Sequence, residues 1–229
     1  METISFKLPT IITQPKSYNY TTFTELTTNV YKFDNVELDK TNNFILLYNN
    51  ALKIKNDSNN KQHAYNLFQE CKNWIELNID KYLDKDNNVL YDVYINLALL
   101  ASELNHSETE VSDNYEHTIF LFPDRSEPYY YWAIYCNKIR QHKKALELLL
   151  KAYSISYEDA KNKYPTTQFR AYGKFLYDEM SVAYYWLDNF KKSKQLIETI
   201  INDPDFSSCR ERIQKNLDFC NEKLGIINI

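Results

Sequence analysis

Glycine is almost missing from this chain: Gly173 and Gly225 are the only two in 229 residues. Backbone cradles for phosphate need glycine so that the main chain can approach closely. Two isolated glycines therefore exclude a P-loop, a dinucleotide-binding fingerprint and a nucleophile elbow. Cysteine is also sparse, and Cys71, Cys136, Cys209 and Cys220 form no CxxC pair, which removes the usual zinc and redox spacings. They read as small buried hydrophobes in a reducing compartment. Cys209 and Cys220 stand eleven apart and return to nearly the same face of a helix. The four histidines, His63, His106, His117 and His142, contain no HxxxH pair, and His106 with Glu110 has no evident third ligand. No metal and no cofactor is expected.

Long apolar runs are absent too. None approaches the roughly 18 residues of a membrane span. The opening "METISFKLPTIITQPKSYNYTTF" lacks a basic start followed by an apolar core. The expectation is a soluble cytoplasmic protein without membrane insertion. Excess positive charge is missing as well: 27 Lys and Arg face 31 Asp and Glu, a net charge of −4. Basic runs do not exceed short pairs such as Lys143-Lys144 and Lys191-Lys192, so no nucleic acid is expected as partner.

What is present is helical periodicity. With 44% hydrophobic and 25% charged residues, the chain is globular rather than disordered. Residues 1–40 are rich in threonine, carry Pro9 and Pro15, and suit an extended arm. From Thr41 the apolar spacing becomes three and four, in "NNFILLYNNALKI", "KQHAYNLFQECKNWIELN" and "LYDVYINLALLASEL". It continues through "VSDNYEHTIFLF", "EPYYYWAIYCNKI", "HKKALELLLKAY" and "FLYDEMSVAYYWLDNFKKSKQLIETIIND". A last stretch, "SSCRERIQKNLDFCNEKL", stops before Gly225. Ser126 is placed to cap the helix that starts with Glu127-Pro128.

A register of small, large and small residues at intervals of four and three runs through the second helix of each pair. Ala145, Leu149 and Ala152 fit it, as do Ala64, Phe68 and Cys71; Val111, Tyr115 and Thr118, and Ser193, Ile197 and Ile200, fit more loosely. Val111 and Ala145 are 34 apart, the tetratricopeptide period, while the flanking intervals are 47 and 48. Those longer intervals imply insertions around "DKYLDKDNNVLY" and "AKNKYPTTQFRAYG". Sixteen residues before each small residue lies the first-helix position, Tyr48, Ile95, Tyr129 and Tyr177. Small side chains let paired helices approach, and large ones fill the layers between pairs.

On these residues, about 44 to 224 resemble the tetratricopeptide repeat (TPR) family, with Ser126 to Asp159 the best-matching unit. The resemblance implies an all-α, TPR-like right-handed superhelix of antiparallel helix pairs, with a C-terminal capping helix and an extended N-terminal arm. The units fall at about 45–78, 92–125, 126–159 and 174–207, with the cap at 208–224, inside a repeat domain spanning 41–229. The stretches "FPDRSEPYYYWAIYCNKIRQHKKALELLLKAY", "YDEMSVAYYWLDNFKKSKQLIETIINDPDF" and "RIQKNLDFC" also resemble the helical region joined to some glycosyltransferases, including giant-virus ones. The Rossmann-like catalytic domain of those enzymes has no counterpart in this sequence.

First helices line the concave face of TPR arrays. The 34-residue alignment would place Asn49, Lys53, Asn96, Tyr130, Asn137, Lys138, Asp178 and Tyr185 there, a polar and aromatic surface for a protein or peptide partner. Tyr129 and Trp132 should share the buried face, leaving Tyr130 toward the groove and Tyr131 toward the rim or the preceding pair. Arg125 and Glu127 either lock the junction between the second and third units or form a ligand-facing rim. Of Asp178 and Glu179, one is expected in solvent and the other paired to a lysine such as Lys174, the alternative being a part in ligand recognition. Asp203-Pro204-Asp205 has the DxD form of sugar transferases but reads as a helix stop, and Asp84-Lys85-Asp86 as a connector. The expected function is a non-enzymatic interaction scaffold. The alternative is an accessory or regulatory subunit of a glycosyltransferase system, with a transferase as partner. An independent enzyme would need a pocket of perturbed titratable groups.

Overall fold

The computed structural model describes residues 38–78 and 88–226. Among these residues every regular element is a helix. In chain order they are α1 (Leu38–Ile54), α2 (Lys61–Leu77), α3 (Asn88–Glu103), α4 (Glu108–Leu121) and α5 (Glu127–Lys138). Then come α6 (His142–Tyr153), α7 (Tyr157–Lys163), α8 (Tyr177–Trp186), α9 (Phe190–Ile200) and α10 (Arg210–Lys223). Short 3-10 turns lie at Phe169–Ala171, Gly173–Leu176 and Pro204–Cys209. The expected N-terminal arm falls on residues outside the described ones, except that 38–40 already belong to α1. Most of the first insertion, including Asp84 and Asp86, also lies outside them.

The helices form where apolar residues recur on one side. In α6 the buried set is Ala145, Leu148, Leu149 and Ala152; in α9 it is Ser193, Leu196, Ile197 and Ile200. Both follow the i, i+3, i+4, i+7 pattern of a helix with one face in the core. α3 differs: Val89 to Ala98 are all buried, as in a helix surrounded by protein, and it packs against α2, α4 and α5. All the small and large residues of the register, from Ala64 to Ile200, are essentially inaccessible. Alanine at 145 and 152 lets α5 and α6 lie close, while Leu149 and Tyr115 fill the space between neighbours.

Packing follows chain order. α1 lies on α2, α3 on α4, α5 on α6 and α8 on α9, and each hairpin meets the next through α2–α3, α4–α5 and α6–α8. α10 closes the series on α9 and α8. It buries Ile213, Asn216, Cys220 and Asn221 and turns Glu211, Gln214, Lys215, Asp218 and Glu222 to solvent, the polar outer face that an end helix needs.

The turns inside the hairpins solve the shortage of glycine in an unusual way. Asn105 (φ 56°), Arg140 (φ 65°) and Asp188 (φ 60°) take the left-handed conformation after α3, α5 and α8, as Gly225 (φ 66°) does after α10. At each, the next residue donates its N–H to the carbonyl five residues back: His106 to Ala101, Gln141 to Cys136, Asn189 to Tyr184 and Ile226 to Asn221, at 2.8–3.0 Å. This is the Schellman closure, normally built on glycine. Asn and Asp tolerate it, whereas arginine has no such local compensation.

The segment between α6 and α8 is ordered, not a simple connector. Ser156 caps α7 by accepting the Asp159 N–H at 3.3 Å, with Glu158 and Asp159 in the first turn. Two 3-10 turns then carry the chain to α8.

The left-handed turn at Arg140 generates a test by urea denaturation. Arg140→Val should cost about 1–2 kcal/mol, because a β-branched residue resists this φ, while Arg140→Gly should cost nothing measurable. Equal stability of the two variants would show that this turn does not constrain the hairpin.

Candidate functional site

A dense polar cluster surrounds Arg125 and Glu127, and neither side chain reaches solvent (0% exposed each). The guanidinium carbon lies over the Tyr91 ring, 3.4 Å from its centre, with the centre of the Tyr164 ring at 5.1 Å. Arg125 Nε and Nη2 donate to the two Glu127 oxygens at 3.4 and 3.1 Å. Nη1 and Nη2 also donate to the Thr166 hydroxyl and carbonyl at 3.2 and 3.1 Å. Glu127 in turn accepts the Gln168 N–H at 2.8 Å and the Tyr172 hydroxyl at 2.9 Å. Burial works against the Arg125 charge, but Tyr91 and Glu127 outweigh it and hold the group protonated.

Neighbouring residues repeat the theme. Asp124 takes Lys163 and the Tyr164 hydroxyl, and Tyr131 donates its hydroxyl to Gln168. The Ser126 N–H donates to Tyr172 Oη at 3.1 Å. The expected side-chain cap by Ser126 is not made: its hydroxyl is buried and donates to the Ala171 and Ala152 carbonyls instead. Residues 124–131 thus grip 163–172, forty residues onward, through charged and neutral hydrogen bonds together. Arg125 and Glu127 lock a junction and form no rim.

A second buried cluster ties α1 to α3. Tyr48 donates to Asp92 at 2.8 Å, Lys55 Nζ donates to Asn96 Oδ1 at 2.9 Å, and Asn96 Nδ2 returns to the Asp92 carbonyl at 2.6 Å. Burial lowers the Lys55 pKa from 10.5 to about 8, opposed by the charges of Asp92 and Glu103.

The eight residues expected on a groove are divided by the structure. Asn49, Lys53 and Lys138 are exposed, Lys138 donating to Asn105 at 3.1 Å. Tyr130 is half-buried against Ala160, Ala171 and Tyr172, so the second insertion covers the side expected to face a groove. Asn96, Asn137, Asp178 and Tyr185 are buried. Asn137 donates to Glu179 Oε2 at 2.9 Å and to its carbonyl at 3.2 Å, and contacts His142 Nδ1. Asp178 forms a two-pronged pair with Arg212, one contact at 3.1 Å. Tyr185 packs among Trp186, Phe190 and the α9–α10 core.

The Asp178-Glu179 expectation is therefore corrected. Both are buried, and Lys174 instead binds Asp203 and Asp205 at 2.5 and 2.8 Å. The Asp203-Pro204-Asp205 stretch is a helix-start device, since Asp203 accepts the Asp205 N–H at 3.0 Å. Its two acids already hold an ammonium group. Among the described residues no three His, Cys, Asp or Glu side chains converge as metal ligands. Cys71, Cys136 and Cys220 are buried, with burial first among the causes pushing each thiol up, Cys71 and Cys136 to about 12. Cys209 is only half-buried. No described helix is long and apolar enough to cross a membrane. An open depression of about 330 Å³ lies between α9 and the end of α10, lined by Lys191, Lys194, Gln195, Glu198, Leu224 and Ile226.

No family model, curated protein or solved structure matches the chain. The TPR and glycosyltransferase resemblances accordingly have no homologue behind them.

The two buried clusters predict different behaviour. Glu127→Ala strands a dry guanidinium and should cost about 3–5 kcal/mol, measured by urea unfolding. It should also speed tryptic cleavage after the exposed Arg170, whereas Glu127→Gln, which keeps an acceptor for the Gln168 N–H, should do both less. For Lys55, the folded pKa lies below the unfolded one, so the unfolded chain binds more protons between about 8 and 10.5. Stability relative to Lys55→Met should rise across that window and be flat below it. A difference that falls with pH there would contradict the buried-amine geometry.

Proposed function

We propose that this protein is a non-enzymatic interaction scaffold, a TPR-like right-handed stack of helix hairpins that holds a segment of a protein partner along its first helices. The left-handed turn recurring at Asn105, Arg140 and Asp188 is the supporting observation. The same turn with the same backbone bond closes three successive hairpins, which supports reading them as one recurring unit although its spacing in sequence is uneven. Contacts from α3 to α5, α5 to α8 and α8 to α10 set the first helices side by side, as a stack of layered pairs requires. The buried ion pairs and asparagines are saturated by neighbouring helices, which suits them to rigidity. Exposed Asn49, Lys53 and Lys138 remain available for contact on α1 and α5.

Affinity capture from the native source followed by lysine cross-linking tests this reading. A partner polypeptide cross-linked to Lys53 and Lys138 is the expected result. Recovery of the chain alone, or cross-links confined to Lys151 on the second helix α6, would overturn it.

A further inference from the structure

Basic residues that the sequence separates into short pairs meet at one edge of the stack. Residues 138–146 contain Lys138, Arg140, Lys143 and Lys144 and no carboxylate; residues 187–195 contain Lys191, Lys192 and Lys194 against the single acid Asp188. The two stretches are the α5–α6 and α8–α9 turns with the first residues of α6 and α9. His142, which opens α6, stacks on Trp186, which ends α8, with ring centres 5.5 Å apart and planes within 10°. That contact sets the two turns beside each other.

Arg140, Lys143 and Lys191 are exposed, and none makes an ion pair among the described residues. Lys138 and Lys192 meet only the neutral side chains of Asn105 and Gln195. Neither α6 nor α9 has an acid in its first turn, although a helix start favours negative charge. Of the acids in the adjoining α3–α4 turn one, Glu108, reaches this edge, against the four cations of residues 138–144. Glu103 pairs with Lys61, Glu108 accepts from Gln141, and Glu110 takes Tyr65 and His106.

Apolar surface lies within the same edge. Leu187 is 41% exposed in the α8–α9 turn, and Ile226 is 43% exposed in the open depression beside Lys191 and Lys194, where Lys194 pairs with the one acid of the lining, Glu198, at 3.6 Å. We propose that this edge, carried by Arg140, Lys143 and Lys191, docks an acidic peptide segment of a protein partner that inserts an aliphatic side chain between Lys191, Lys194, Leu224 and Ile226. The inference rests on the scaffold reading and supplies the chemistry of its partner. Opposite charge steers encounter and register, while the apolar contact adds the part that salt does not screen. A nucleic acid fits less well: it has no aliphatic group for the depression, and the overall charge of −4 repels its backbone.

Fluorescence anisotropy on the full chain tests it, with three labelled probes: a short Glu-rich peptide containing leucine, the same peptide with Gln for Glu, and a single-stranded oligonucleotide. The Glu peptide should bind best, at least about tenfold more weakly in high salt, and at least about tenfold more weakly to the triple variant Arg140→Glu, Lys143→Glu, Lys191→Glu. An unchanged circular-dichroism melt of that variant separates lost docking from lost folding, and a variant that melts early is replaced by the Gln series at the same positions. Leucine-to-serine substitution in the peptide should weaken binding further. No binding of the Glu peptide, equal binding of the Gln peptide, binding indifferent to charge reversal, or preference for the oligonucleotide each overturns the proposal. A partner captured equally well by wild type and triple variant would overturn the acidic edge alone. Absence of any captured partner, with the Glu peptide still bound, would remove the scaffold reading and leave the edge as a peptide site.

Discussion

A guanidinium taken out of water must find acceptors for its donors, or the protein loses several kcal/mol. Arg125 meets that demand with Glu127 beside it, Thr166 from forty residues on and the face of Tyr91 beneath. Because Glu127 also fixes the Gln168 N–H and the Tyr172 hydroxyl, the pair cannot be satisfied unless 164–172 is in place. The start of α5 and the strap before α8 are thereby made into one unit. Tyr91 extends the unit into α3, so a single ion pair joins two successive hairpins to the strap that follows them.

The same economy appears along the stack. Tyr48 and Asp92 join α1 to α3, Asn137 and Glu179 join α5 to α8, and Asp178 and Arg212 join α8 to α10. Each is a polar contact between one first helix and the next, set beside apolar contacts that carry no directional information. Hydrophobic burial permits helices to slide or rotate against one another; a bidentate pair permits far less. The polar groups that looked available for ligands are consumed in fixing the angle of each hairpin to its neighbour.

Helix positions and core were legible in the sequence because burial imposes a local period. Ala145, Leu149 and Ala152 announce a packed face within eight residues, and the structure buries all three. Asn96, Asn137, Asp178 and Tyr185 were not legible as internal. Their covering partners stand at Lys55, Glu179, Arg212 and the α9–α10 core, mostly dozens of residues away, and no local spacing encodes such distances. Lys174 shows the same limit: its proximity in sequence favoured Asp178, yet its geometry favours Asp203 and Asp205. α7, in contrast, carried a readable signal in Ser156, Glu158 and Asp159, a cap followed by first-turn acids. Arg125 and Glu127 stood between two readings because a charged pair looks alike on a rim and in a core until the remote carbonyls and hydroxyls are placed.

Saturation inside also determines what is left outside. Where a first helix is bound to its successor through its polar residues, its turn is the part that remains free to carry charge. Those turns are built on an exposed left-handed residue, and at Arg140 this places a cation where glycine would present none. A chain with abundant glycine would close its turns without side chains there. In this one Arg140 adds a cation to those that Lys138, Lys143 and Lys144 bring to the α5–α6 edge, whereas Asp188 at the equivalent place puts an acid in the α8–α9 turn.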